Sequence, residues 1–148
     1  MSNQGTRTTA PLRSVVVKLL VYSGRPDPTW ALKASRVSEL QSKVAEVLKG
    51  SPVHPPPLGG LGYRGFRIRA ALQGGGDAAA LPEDLAVFRN VVSVLGHTRS
   101  THFIDAADVE TWLLATAIAE GHKPLLEKFG APDLTEAIRI KGTWAPEP

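Results

Sequence analysis

The sequence predicts an α+β domain: a two-layer sandwich with helices on one face of a mainly antiparallel sheet of three to four strands. Three observations lead there. Residues 14–22 and 62–73 carry apolar side chains at the two-residue spacing of strands, and residues 35–50 carry a helical stripe between them. The chain has 148 residues, 43% of them hydrophobic, enough for one core with no need of a second. The order is β-α-β-β-α. Asp133 to Lys141 reads either as a helical turn or as an extra C-terminal edge strand, and a strand over 137–141 would give a split βαβ arrangement.

Met1 to Arg13 is polar and without apolar period, so 1–13 is expected to be a flexible arm, 14–142 the domain and 143–148 a tail. From Ser14 to Tyr22 both alternating sets are largely apolar and β-branched, which predicts a strand covered on both faces or nearly so. Ser23 to Trp30 follows as a stiff loop, because Arg25 and Asp27 each precede a proline and are pushed out of the helical region. Ser35 can cap the next helix, whose stripe is Val37, Leu40, Val44, Val47 and Leu48, and Gly50 ends it. The prolines and glycines of 51–61 predict a polyproline-like crossing.

In 62–73, Phe66, Ile68, Ala70 and Leu72 alternate with Arg67, Arg69, Ala71 and Gln73, the pattern of a half-buried antiparallel strand. Gly74 to Asp77 reads as a flexible connection. Leu85 to Leu95 reads as one strand with two similarly apolar faces, and Gly96 to Ile104 as a polar loop. Asp105 caps a helix with Asp108 and Glu110 in its first turn and Val109, Trp112, Leu113, Thr116 and Ala117 as its buried stripe. Gly121 stops it, Pro124 opens a short helix through Phe129, and Gly130 with Pro132 ends that one.

With no cysteine, the chain has no disulfide, zinc-thiolate site, iron-sulfur cluster or thiol nucleophile. The longest apolar run, Val15 to Tyr22, is interrupted by Lys18 and too short to span a bilayer, and no signal-peptide cleavage pattern follows it. A cytoplasmic protein without a membrane partner is expected. Residues 1–72 carry 11 Lys and Arg against 3 Asp and Glu, a surplus of +8; residues 73–148 carry 6 against 11, or −5. Such halves either pair within one domain or leave a basic surface for an acidic partner.

Arg25, Trp30, Tyr63 and Arg64 form the leading candidate site. Arginine offers a planar fork to carboxylate or phosphate, and Trp and Tyr offer apolar faces with a polar tip. This points to a small non-enzymatic binding or partner-docking module, without cofactor, that recognises an anionic group on a peptide, protein or small ligand. The four residues can share a pocket if the strands at 14–22 and 62–73 run antiparallel; in a parallel pair the two loops leave opposite ends unless the proline-rich segment doubles back. The structural alternative has Arg25 paired locally and Trp30 plugging the core beneath its loop.

His97, His102 and Asp105 are the competing constellation, for a small His-dependent enzyme or a metal site on His97 and His102, although their spacing matches no helix face. A nucleic-acid contact through the basic N-terminal half ranks last, because Phe66 has core parity and leaves Tyr63 as the one aromatic that shares a face with Arg67 and Arg69. Gly60-Leu61-Gly62-Tyr63-Arg64-Gly65 matches G-x-G-x-x-G formally, but it precedes a strand and opens no helix, so it is not a phosphate loop. Exposed sheet edges leave room for a homodimer.

Overall fold

Alternation of side chains along the first strand decides where the core lies. In β1 (Ser14–Leu19), Val15, Val17 and Leu19 are buried, Val16 is half-buried and Lys18 is exposed. One face is therefore covered, where the sequence suggested nearly both. The computed structural model describes residues 14–22, 24–57, 60–71 and 81–144; the expected arm at 1–13, the connection at 74–77 and residues 145–148 of the tail expected at 143–148 lie outside the described residues.

The other strands are β2 (Thr29–Ala31), β3 (Pro52–Val53), β4 (Phe66–Ala71), β5 (Asp84–Phe88), β6 (Val91–Leu95) and β7 (Ser100–Ile104). They form one open seven-stranded sheet in the order β2-β1-β4-β5-β6-β7-β3, antiparallel throughout. Register aligns the core residues in rows: Trp30, Val17, Ile68 and Leu85 in one, Leu19, Phe66, Val87 and Val92 in the next. All eight are buried.

The helices α1 (Ala34–Val47), α2 (Val109–Ala119), α3 (Lys123–Lys128) and α4 (Thr135–Gly142) contribute to the same buried cluster as these strand residues. α1 buries Val37, Leu40, Val44 and Val47, four positions of the stripe read from the sequence. α2 buries every residue from Trp112 to Ala117, as a helix enclosed on all sides does, and α4 packs against it. The interior there is aromatic, with the Trp112 and Trp144 rings T-shaped at 6.2 Å. Among the described residues, no helix is long and apolar enough to cross a membrane.

Seven strands replace the three to four expected. β2 and β3 have three and two residues, too short to show a period, and sit where a stiff loop and a proline-rich crossing were read. The single strand at 85–95 is a hairpin: Phe88 pairs with Val91, and Arg89 (φ 51°) and Asn90 (φ 66°) turn between them in the left-handed region, as a two-residue loop requires. β7 was read as a loop because Ser100 and His102 make one of its faces polar. The last element is the helix α4 instead of a strand, which removes the split βαβ alternative. Ser35 lies inside the first turn of α1, with Lys33 at the N-cap position, and so does not cap it.

Gly65 explains the glycine motif in structural terms. Its φ is +85°, and a Cβ there would stand 2.0 Å from the Val87 carbonyl oxygen, so only glycine lets the chain enter β4 beside β5.

Candidate functional site

Because β1 and β4 run antiparallel, the loop after β1 and the segment before β4 emerge at the same end of the sheet. They are bonded to each other: Leu20 N–H donates to Gly65 O at 3.0 Å, and Arg64 N–H to Leu20 O at 2.8 Å. Asp27 closes its own loop, its Oδ1 accepting the amides of Val21 (2.9 Å) and Tyr22 (2.7 Å). Arg64 Nη2 donates to the Tyr22 carbonyl at 2.6 Å, and the Arg25 guanidinium lies 4.1 Å above the Tyr22 ring. The two arginines are thus brought together around Tyr22.

The two aromatic candidates go elsewhere. Trp30 is 7% exposed and packs T-shaped on Phe66, as does Tyr63. The Tyr63 hydroxyl donates to Glu110 Oε2 at 2.6 Å, and Glu110 Oε1 accepts the Asn90 amide at 2.9 Å. Burial, and then the charge of the Glu110 carboxylate beside it, push the Tyr63 phenol far above its ordinary value. It is a neutral donor throughout the physiological range.

Asp105 is buried, and its carboxylate accepts the Val109 and Glu110 amides at 2.7 and 2.8 Å, closing the N-terminus of α2. His102 Nδ1 lies 2.6 Å from Ser93 Oγ on the adjacent strand, while His97 is exposed in the loop between β6 and β7. Among the described residues, no group of three or more His, Cys, Asp or Glu could hold a metal ion. On the outward face of the sheet, Arg67 grips Asp84 with two bonds of 2.6 and 2.7 Å, and Arg69 approaches the same carboxylate at 3.9 Å. The Arg67 hydrogen bonds hold the Asp84 carboxyl below the usual carboxylate range.

A groove of about 390 Å³ opens where β2 meets the ends of α1, α2 and α4. Trp30 supplies one wall and Trp144 another, with Lys33, Arg36 and Lys141 around them and Glu120 as the one carboxylate. Arg36 stacks its guanidinium 4.0 Å above the Trp144 ring and pairs with Glu39, which fixes the direction of the fork. Trp30, paired to Val17 in the sheet, also meets the His122 ring at 5.3 Å. Two buried side-chain donors have no acceptor among the described residues, the indole N–H groups of Trp30 and Trp112. One belongs to a residue that lines the groove, and the other to the ring on which its Trp144 wall rests.

Family models, curated proteins and solved structures offer no match to this chain. Of the four leading candidates from the sequence, Trp30 lines the groove and Arg25, Tyr63 and Arg64 do not. Arg36, Lys141 and Trp144 were missed. A tryptophan in an otherwise proline-rich polar tail was the one available signal, since large aromatics there need a surface to pack on.

Proposed function

We propose that this chain is a small, two-layer, cytoplasmic, non-enzymatic binding module that takes an anionic group of a peptide, protein or small ligand into the groove beside β2. The observation that carries the reading is the placing of Arg36 and Lys141 beside the Trp30 and Trp144 indoles in one groove, with Glu120 the carboxylate among its described lining residues. Arg36 is pre-aimed by Trp144, so less side-chain freedom is lost when an anion binds its fork. The indole faces supply contact area, and Glu120 gives the ligand an orientation by repelling one end of it.

The uses already found for the other candidates support this choice. The Asp105 carboxylate is engaged by helix amides, and Asp84 partly neutralises Arg67 and Arg69 on the outward face. A second basic-aromatic surface, Arg25 over Tyr22 beside Arg64, favours the same ligand chemistry at the loop end of the sheet.

Citrate, a multivalent carboxylate with no peptide backbone, separates the two surfaces when its binding is followed by tryptophan fluorescence at low salt. The double substitution Arg36→Gln and Lys141→Gln is expected to weaken citrate by about tenfold or more with little change in Tm, and Arg25→Ala to leave it unaltered. Unchanged affinity in the double variant removes the groove as the site. Loss on Arg25→Ala instead moves the site to the loop surface.

A further inference from the structure

We infer that the ligand of this groove is an extended acidic peptide that joins the sheet as an additional strand alongside β2. The inference rests on the groove reading above and adds the backbone to it.

Among the described residues, β2 is an edge of the sheet, paired with β1 alone. Antiparallel ladders alternate, so successive residues send their backbone groups to opposite sides. Leu19 N–H donates to Pro28 O at 3.0 Å and Leu32 N–H to Val15 O at 2.9 Å, and Trp30 stands opposite Val17. Residues 28, 30 and 32 therefore spend their backbone groups on β1, while Thr29 and Ala31 present N–H and C=O to the open side. Both are exposed. Prolines commonly blunt such an edge, and here Pro26 and Pro28 stand before it without interrupting Thr29 or Ala31.

The groove lies under that open edge. Trp30 is on the helix-facing side of β2 and lines the groove, so a strand added about 4.8 Å further out would set the side chain opposite Trp30 above the cavity, with its neighbours facing away. An acidic side chain at that position meets Arg36 and Lys141, and an apolar part of it meets the indole of Trp144. A small free anion would use the cations and leave Thr29 and Ala31 unpaired. A second copy of the chain pairing edge to edge would bring two sets of Arg36 and Lys141 together, and that repulsion selects against it. Charge complementarity thus commits the edge to an acidic strand.

The test uses the full chain and a short acetylated, amidated peptide of alternating valine and glutamate. Two versions N-methylated on alternate backbone nitrogens, one at the valines and one at the glutamates, keep charge and side chains but block opposite edges of the strand. The parent is expected to bind and to protect the Thr29 and Ala31 amides from hydrogen exchange, with one methylated version about tenfold weaker or worse and the other unaffected. Ala31→Pro removes an outward amide without touching the β1 ladder, and is expected to lose the peptide while retaining citrate. Equal binding of all three peptides, with unprotected amides, overturns strand addition and leaves the anion groove standing. Failure of the peptide while citrate still binds through Arg36 does the same. Failure of both removes the groove reading with it. Protection of Thr29 and Ala31 in the free protein that rises with concentration assigns the edge to a second copy and overturns the inference.

Discussion

Trp30 and Tyr63 both lie T-shaped against Phe66, yet their polar atoms are used in opposite ways. On the Tyr63 side every group in the cluster is partnered: the hydroxyl and the Asn90 amide converge on Glu110, and Asp105 holds the start of α2 and donates its own N–H to Asn90 O at 2.8 Å. On the Trp30 side the indole N–H has no acceptor among the described residues, and cations outnumber carboxylates in the adjoining groove. Buried polar groups are nearly always satisfied, so the first cluster is a structural joint between hairpin, sheet and helix. The second is the cluster on which the proposed ligand site rests.

The most forceful way to break this contrast is to cut the joint. Glu110 is 9% exposed and accepts two donors, so Glu110→Ala strands a phenol and an amide and is expected to cost about 3 kcal/mol in urea unfolding. Citrate binding per folded molecule should be unaltered. An equal loss of citrate affinity would show that joint and groove are one unit.

Tyr63→Phe is milder, removing one of the two donors at a cost of about 1.5 kcal/mol. It also carries a pH signature. The folded phenol holds its proton to higher pH than the unfolded one, so its contribution is whole below about pH 10 and shrinks as the pH rises beyond that. Wild-type stability should fall in that alkaline range more steeply than that of Tyr63→Phe, and parallel curves would contradict the buried donor.

The smallest effect sharpens the comparison from outside. The Arg67–Asp84 pair is fully partnered but partly exposed, so Asp84→Asn is expected to cost only about 0.5 kcal/mol at neutral pH. Since the folded Asp84 carboxyl sits below its unfolded value, that contribution is present above about pH 4 and disappears as the pH falls further. A loss as large as that of Glu110→Ala would mean that partnering, and not burial, sets the cost.

Much of the fold could be read in advance because long elements repeat their pattern. The alternation of Phe66, Ile68 and Ala70 and the stripe of Val37, Leu40, Val44 and Val47 both appear as buried faces. The strands that escaped were those with too few residues for a period, Thr29–Ala31 and Pro52–Val53, those joined by a turn without glycine, at Arg89–Asn90, and Ser100–Ile104, where Ser100 and His102 make one face polar. The sequence places Glu110 in a helix first turn, where the dipole favours a carboxylate, and it lies there; its burial under two donors from distant segments has no local signal. The groove could not be read at all, since Arg36 and Trp144 come from opposite ends of the chain and meet only through the seating of α4 on α2.

Strand order also carries a consequence for how the molecule assembles. β4, β5, β6 and β7 are consecutive in sequence and adjacent in the sheet, whereas β1 and β2 add to one side of that meander and β3 to the other. Local hairpins close at low entropic cost, so the meander is the natural nucleus, and the residues preceding it must then dock on both of its flanks. Those residues are basic and the later ones acidic. Docking should therefore be electrostatically steered, with a refolding rate that drops as salt rises while the β5–β6 hairpin forms at an unchanged rate. Read in time instead of space, the charge imbalance between the halves is a guide for the last step of folding.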